Sequence, residues 1–354
     1  MHISTHRVYL WFIILFCTFG HTQTYENNDL KAKEPWITIL VHGIISVKPF
    51  LSPYNIYILM QDDIHGSVYA HTIAHARQDP FFHEYHAMQD IGLIKIDKNI
   101  IEKGNATCAF VRAYDHLATH VNPDAQENIY YTYGWSALLS KKLWVDEGER
   151  FYHTLAREIE KYHVQGIYPK IRIIGYSHGG TIATHLAQAH TTTGHTSLST
   201  IDELILLGMP GVPEAKDLLY SPFFKKIYQI YSHGDRIQTL DFFSLNVLFS
   251  SKTFFGTKNL PENFHQIGIK MYRLSKPCTK KCPHGHTYPA PAKHLRPIHP
   301  GHSELWSFGW AEGGYRDYFP LYPLPLGVCI PWFIELSNMF SESSRHISIA
   351  MHLY

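Results

Sequence analysis

The sequence predicts an α/β fold, with a mainly parallel sheet and helices on both faces. Three observations predict it. Short, β-branched apolar runs recur along the chain. Segments with helical periodicity separate several of them. Several of the runs end at a glycine, as at Gly43, Gly134 and Gly208, and strands feeding crossover connections end in this way.

The elements follow in order. Residues 36–41 (Trp-Ile-Thr-Ile-Leu-Val) read as a buried strand closed by His42-Gly43. Residues 44–125 carry aromatic and histidine clusters and read as irregular. A stretch of that length suits a functional loop or lid. Residues 128–133 read as a second strand, and residues 146–163 as a helix. In that helix Phe151, Leu155, Ile159 and Tyr162 share one face. Residues 171–174 form a strand that runs into Gly175-Tyr176-Ser177-His178-Gly179-Gly180 and then a helix-like segment. Strands over 202–207, 226–231 and 267–272 complete the core, the last being the expected final strand. The proline-rich apolar tail from Phe319 is expected to pack on the core.

Composition narrows the function. The chain has 354 residues, 45% of them hydrophobic and 17% charged, which supports a sizeable core. A net charge of +1 gives no basic excess, so nucleic acid is not an expected partner. The 26 histidines make the charge pH-sensitive below about pH 6.5. Residues 1–24 read as a signal peptide or N-terminal anchor: a basic start and an apolar stretch too short to span comfortably, then polar residues. The pattern favours export, to the periplasm or beyond, or anchoring by that segment. Export would make Cys108, Cys278, Cys282 and Cys329 candidates for disulfides in any of three connectivities. Cys278, Cys282, His284 and His286 also have the look of a metal loop, but the spacing is loose and no second knuckle follows.

Ser177 carries the chemistry. Strand, tight turn and helix with a serine at the apex of G-x-S-x-G form a nucleophile elbow. A serine hydroxyl needs a base, an acid to orient that base and donors for the oxyanion. Asp235 follows the strand over 226–231 and is the candidate acid, with Asp241 second. His302 is the candidate base, with His299 and His294 as competitors. The order Ser, Asp, His suits such a relay. The N–H of His178, next after the serine, and that of Ile44, after Gly43, are the candidate oxyanion donors. His42 is placed to orient that loop.

Leu40-Val41-His42-Gly43-Ile44, the elbow around Ser177, and Leu207-Gly208-Met209-Pro210 together resemble segments of the α/β-hydrolase superfamily. Within it the chain looks most like lipases and PGAP1-like serine esterases. The likeness covers roughly residues 36–310, with insertions at about 44–125 and 240–290, and methionine stands at 209 where the family usually has threonine. The resemblance implies one α/β-hydrolase domain over 36–354 with lid-like insertions. It implies a serine esterase acting on lipid or other apolar esters without metal or organic cofactor, with contact to a lipid surface. An acyltransferase or amidase on the same residues, or a non-catalytic binding protein of this fold, are the alternative expectations.

Overall fold

The computed structural model describes residues 8–10, 34–45, 53–100, 104–122, 128–194, 197–237, 252–255, 260–274, 295–297, 299–308, 325–340 and 344–353. The strands are β1 (Val8–Leu10), β2 (Trp36–Val41), β3 (Gly92–Ile96), β4 (Asn128–Gly134), β5 (Lys170–Tyr176), β6 (Ile201–Leu207), β7 (Phe224–Ser232), β8 (Phe264–Leu274), β9 (Leu295–Pro297) and β10 (His346–Leu353). The helices are α1 (Pro53–Gln61), α2 (Val68–Ala76), α3 (Pro80–Tyr85), α4 (Ala106–Val121), α5 (Lys141–Val164), α6 (His178–Thr193), α7 (Pro213–Leu218) and α8 (Ile330–Phe340).

Among the described residues these strands make one sheet in the order β1-β10-β8-β7-β6-β5-β2-β4-β3, with β9 paired to β8. All neighbours are parallel except β3 on β4 and β9 on β8. The mostly parallel α/β architecture expected from the sequence is present. Its strands are buried on both faces, which is why they read as continuous apolar runs rather than alternating ones. Ile37, Ile39, Val41 and Ile173 face a core shared with α5 and α6 through Phe151, Leu155, Ile182 and Leu186. Leu40 and Ile174 face the opposite core, closed by Phe110 and Val111 of α4 and Phe333 of α8. The chain leaves β2 toward β4 on one side and β5 toward β6 on the other. The carboxyl ends of β2 and β5 therefore flank a crevice where the strand order reverses, the usual place for a site in such sheets.

Some sequence expectations change. Residues 44–125 are not irregular: they hold α1, α2, α3, β3 and α4, with only 46–52, 101–103 and 123–125 of them outside the described residues. The short α1, α2 and α3 carry little period, whereas α4 buries Phe110, Val111, Tyr114 and Ala118 at helical spacing much as α5 does with its own apolar face. The final core strand is β10, beyond the expected last strand at β8, and it pairs with β8 in parallel. The strand expected over 267–272 is present as β8, within the region also expected to hold an insertion at about 240–290. Cys108 and Cys329 are not joined to each other by a disulfide. Burial pushes the Cys329 thiol up to about 12. Cys278 and Cys282, with the loop that resembles a metal site, lie outside the described residues, as does the expected targeting segment over residues 1–24 apart from β1.

The tail packs as expected. Pro331 stands in the first turn of α8, where a missing N–H costs nothing. Ile330, Phe333, Ile334 and Leu336 are buried there. No helix of the described residues is long and apolar enough to cross a membrane.

Candidate active site

The elbow is built by backbone strain and close packing. Ser177 has φ 52° and ψ −131°, a combination that L-residues rarely adopt and that costs of order 1–3 kcal/mol. Its N–H donates to the Leu207 carbonyl at 2.9 Å, and its own carbonyl accepts the Gly180 N–H at 2.9 Å. The end of β5 meets the start of α6 so closely that a Cβ on Gly175 would lie 2.5 Å from the Gly180 Cα. A Cβ on Gly179 would lie 2.4 Å from the carbonyl oxygens of both Val41 and His42. Neither position admits a side chain, and that is why glycine punctuates this segment. Met209 fills the space beside Gly180 where a smaller residue would leave a gap.

His302 lies between the serine and the aspartate. Its Nε2 is 2.8 Å from Ser177 Oγ and its Nδ1 is 2.7 Å from Asp235 Oδ2. A carboxylate only accepts, so Nδ1–H donates to Asp235 and Nε2 accepts from the serine hydroxyl. Asp235 Oδ1 accepts the Ile237 N–H at 3.0 Å, and the residue is fully buried. The three residues predicted as nucleophile, base and acid are thus brought together from loops 58 or more positions apart in the chain. Gly208, at φ +61°, forms the turn beside them; a Cβ there would lie 3.4 Å from Asp235 Oδ2 and 3.5 Å from His302 Cε1.

His299, the competing base, is engaged elsewhere: its Nδ1 accepts the Met271 N–H at 2.9 Å. Burial, then the Lys270 charge, lowers its pKa. His294 and Asp241 lie outside the described residues.

The loop carrying His302 is held from three sides. Ser232 Oγ donates to the Pro300 carbonyl and in turn accepts the Gly234 N–H at 3.2 Å. The Tyr176 hydroxyl donates to the His302 carbonyl at 3.1 Å, and its ring stacks parallel to Trp306 at 5.2 Å. Burial first, then the charges of Asp235 and Glu304, keep Tyr176 a neutral phenol. On the third side, His86 forms a bridge to Ser307, and the Phe308 N–H donates to the Tyr85 carbonyl at 2.8 Å. Residues of the 44–125 stretch, expected as a loop or lid, therefore clip the segment that carries His302.

The other expected parts lie alongside. A Cβ on Gly43 would be 2.9 Å from Ser177 Cβ, so the Gly43–Ile44 peptide borders Ser177. His178 opens α6 and stacks on Trp144 at 4.5 Å. Burial and the neighbouring His302 push His178 down to about 3, so its ring is neutral. His42 is neutral as well, for burial and the Arg77 charge hold it well below the usual histidine range. Its ring does bind the adjoining loop: Nδ1 and the Gly43 carbonyl are 2.7 Å apart.

Sequence reasoning missed Arg77, Trp135 and Trp144 at this site, and Tyr176 and Trp306 behind it. None has a local signal, because each acts through a contact made only in the fold. Among the described residues no group of three His, Cys, Asp or Glu is placed to hold a metal ion. The arrangement can move a proton from a hydroxyl to an imidazole and balance the resulting charge with a buried carboxylate. The chain matches no family model, no curated protein and no solved structure.

Proposed function

We propose that this protein is a serine hydrolase of the α/β-hydrolase type that cleaves carboxylic esters through an acyl-enzyme on Ser177. The observation that carries this reading is the Ser177–His302–Asp235 relay, at 2.8 and 2.7 Å, with the serine on a strained strand-to-helix turn. Ser177 attacks the ester carbonyl as His302 takes its proton. Asp235 stabilises the imidazolium, which then protonates the leaving alcohol. The N–H groups of His178 and Ile44 receive the oxyanion at the positive end of α6. Water, activated by the same imidazole, releases the acyl group. None of these steps calls on a metal or organic cofactor.

Lipid or other apolar esters are the substrate class we favour. Two observations support it: half-buried Ile44 follows Gly43, which packs against Ser177, and Trp144 stacks on the neighbouring His178. Export, or anchoring by the N-terminal segment, with action at a lipid surface, is part of the same proposal.

A fluorophosphonate label and a series of p-nitrophenyl esters of increasing chain length test the reading. The wild type is expected to label at Ser177 and turn over the longer esters. Ser177→Ala is expected to lose the label and about 10³-fold or more in rate. A wild type that neither labels nor hydrolyses any ester overturns the proposal.

A further inference from the structure

We infer that Arg77, at the end of α2, is a positioning residue that aims the Ile44 N–H at the oxyanion by fixing the tautomer of His42. The inference rests on the serine-hydrolase reading above. An Arg77 guanidinium nitrogen lies 3.0 Å from His42 Nε2. A guanidinium can only donate, so Nε2 must accept and the ring proton must sit on Nδ1. The Trp135 backbone N–H approaches the same Nε2 at 3.4 Å, which reinforces that choice. Nδ1–H then donates to the Gly43 carbonyl at 2.7 Å.

That carbonyl belongs to the same planar, trans peptide as the Ile44 N–H. In a trans peptide the two point in opposite directions. A ring that grips the oxygen therefore sets where the N–H points. The preceding carbonyl, of His42, is held independently by the Trp135 indole N–H at 2.7 Å, and the His42 ring stacks on that indole at 5.7 Å. Both peptides of the loop beside Ser177 are thus clamped.

Arg77 is itself fixed. Its second terminal nitrogen donates to the Gln89 carbonyl at 2.8 Å, and its own carbonyl accepts from His83 Nε2 at 2.9 Å. Asp90 and Glu147 supply compensating charge. An apolar side chain would close this space without burying a cation against a neutral ring, a costly arrangement for mere packing. The partner it does have is the ring that orients the peptide.

The test uses the full chain with Arg77→Met, His42→Phe and the double variant. Phe keeps the stack on Trp135 but has no ring nitrogen. Each is assayed for kcat, KM and fluorophosphonate labelling rate, with thermal melts as the fold control. Arg77→Met is expected to lower kcat and labelling about 10- to 100-fold, less than outright loss of an oxyanion donor, because the N–H is misaimed rather than removed. KM is expected to stay within about twofold. His42→Phe is expected to match it, and the double variant to fall no further, since both act through one peptide. Unchanged rates in Arg77→Met, or losses that multiply in the double variant, overturn the inference. If Arg77→Met does not fold, His42→Phe alone decides: a wild-type rate there overturns it equally. A wild type that Ser177-directed label does not touch takes down the hydrolase reading as well. A labelled wild type with unaffected variants takes down this inference only.

Discussion

Acidification is expected to destabilise this protein well before its carboxylates titrate, because several histidines are buried in neutral form. His86 is the clearest case. Burial pushes its pKa to about 4 in the folded chain, against the ordinary 6.5. Between those values the unfolded chain binds a proton that the folded chain does not. The contribution is therefore fully present above about pH 6.5 and is lost as the pH falls toward 4. Worked through, His86 alone removes about 2 kcal/mol by pH 5 and about 3 kcal/mol by pH 4. His178, held at about 3, loses a similar amount by pH 5. Together they approach 4 kcal/mol by that pH, roughly, a large part of a typical folding free energy. The assay is urea unfolding followed by tryptophan fluorescence at intervals from about pH 7.5 to about pH 5. The midpoint is expected to fall steadily, and His86→Gln, which keeps a hydrogen-bonding group beside Ser307, is expected to flatten the profile by His86's share. A midpoint that stays level over that range, or a His86→Gln profile as steep as that of the wild type, refutes the reasoning.

Three further outcomes follow from the geometry. Asp235→Asn places an amide donor against His302 Nδ1 and so moves the ring proton to Nε2, where it cannot accept from Ser177; kcat is expected to fall by about 10⁴-fold with the fold intact by circular dichroism. Gly179→Ala drives a methyl against two backbone oxygens that cannot yield, at 2.4 Å; a loss of about 1–3 kcal/mol in unfolding free energy is expected, and a neutral result would show that α6 and the β2 loop are less tightly joined than described. Tyr176→Phe keeps the stack on Trp306 but loses the hydrogen bond to the His302 carbonyl; about 1 kcal/mol of stability is expected to go.

Much of the fold was legible because a strand covered on both faces writes itself as a run of apolar residues. Residues 36–41, 128–133 and 202–207 fall within or on strands β2, β4 and β6 for that reason. The helix α5 declared itself by Phe151, Leu155 and Ile159 on one face, though it begins at Lys141, earlier than the periodicity indicated. Residues 44–125 were legible only at α4, where Phe110, Val111, Tyr114 and Ala118 recur at helical spacing behind an Asn105 cap, a period the sequence reading missed; the rest was not legible. α3 has six residues and no buried side chain, and α1 has nine residues with no charge at either end. Such segments depend on their neighbours for stability, so their own sequence carries little period. β10 carries a strand's alternation in Ile347, Ile349 and Met351, which the sequence reading missed; what its own pattern does not show is its partner, β8, seventy or more residues away.

At the site, the residue types and their spacing along the chain were enough to single out Ser177, because a turn that exposes a serine has few sequence solutions, and to narrow its partners to Asp235 or Asp241 and to His294, His299 or His302. Choosing His302 over His299 as the base belonged to the tertiary structure: two imidazoles three residues apart differ only in what each meets, a serine hydroxyl for one and a backbone N–H of β8 for the other. The link from Arg77 through His42 to the Gly43 carbonyl is of the same kind. Hydrogen bonds between distant loops depend on distances of a few tenths of an ångström, and a linear chain encodes those only through the whole of its packing.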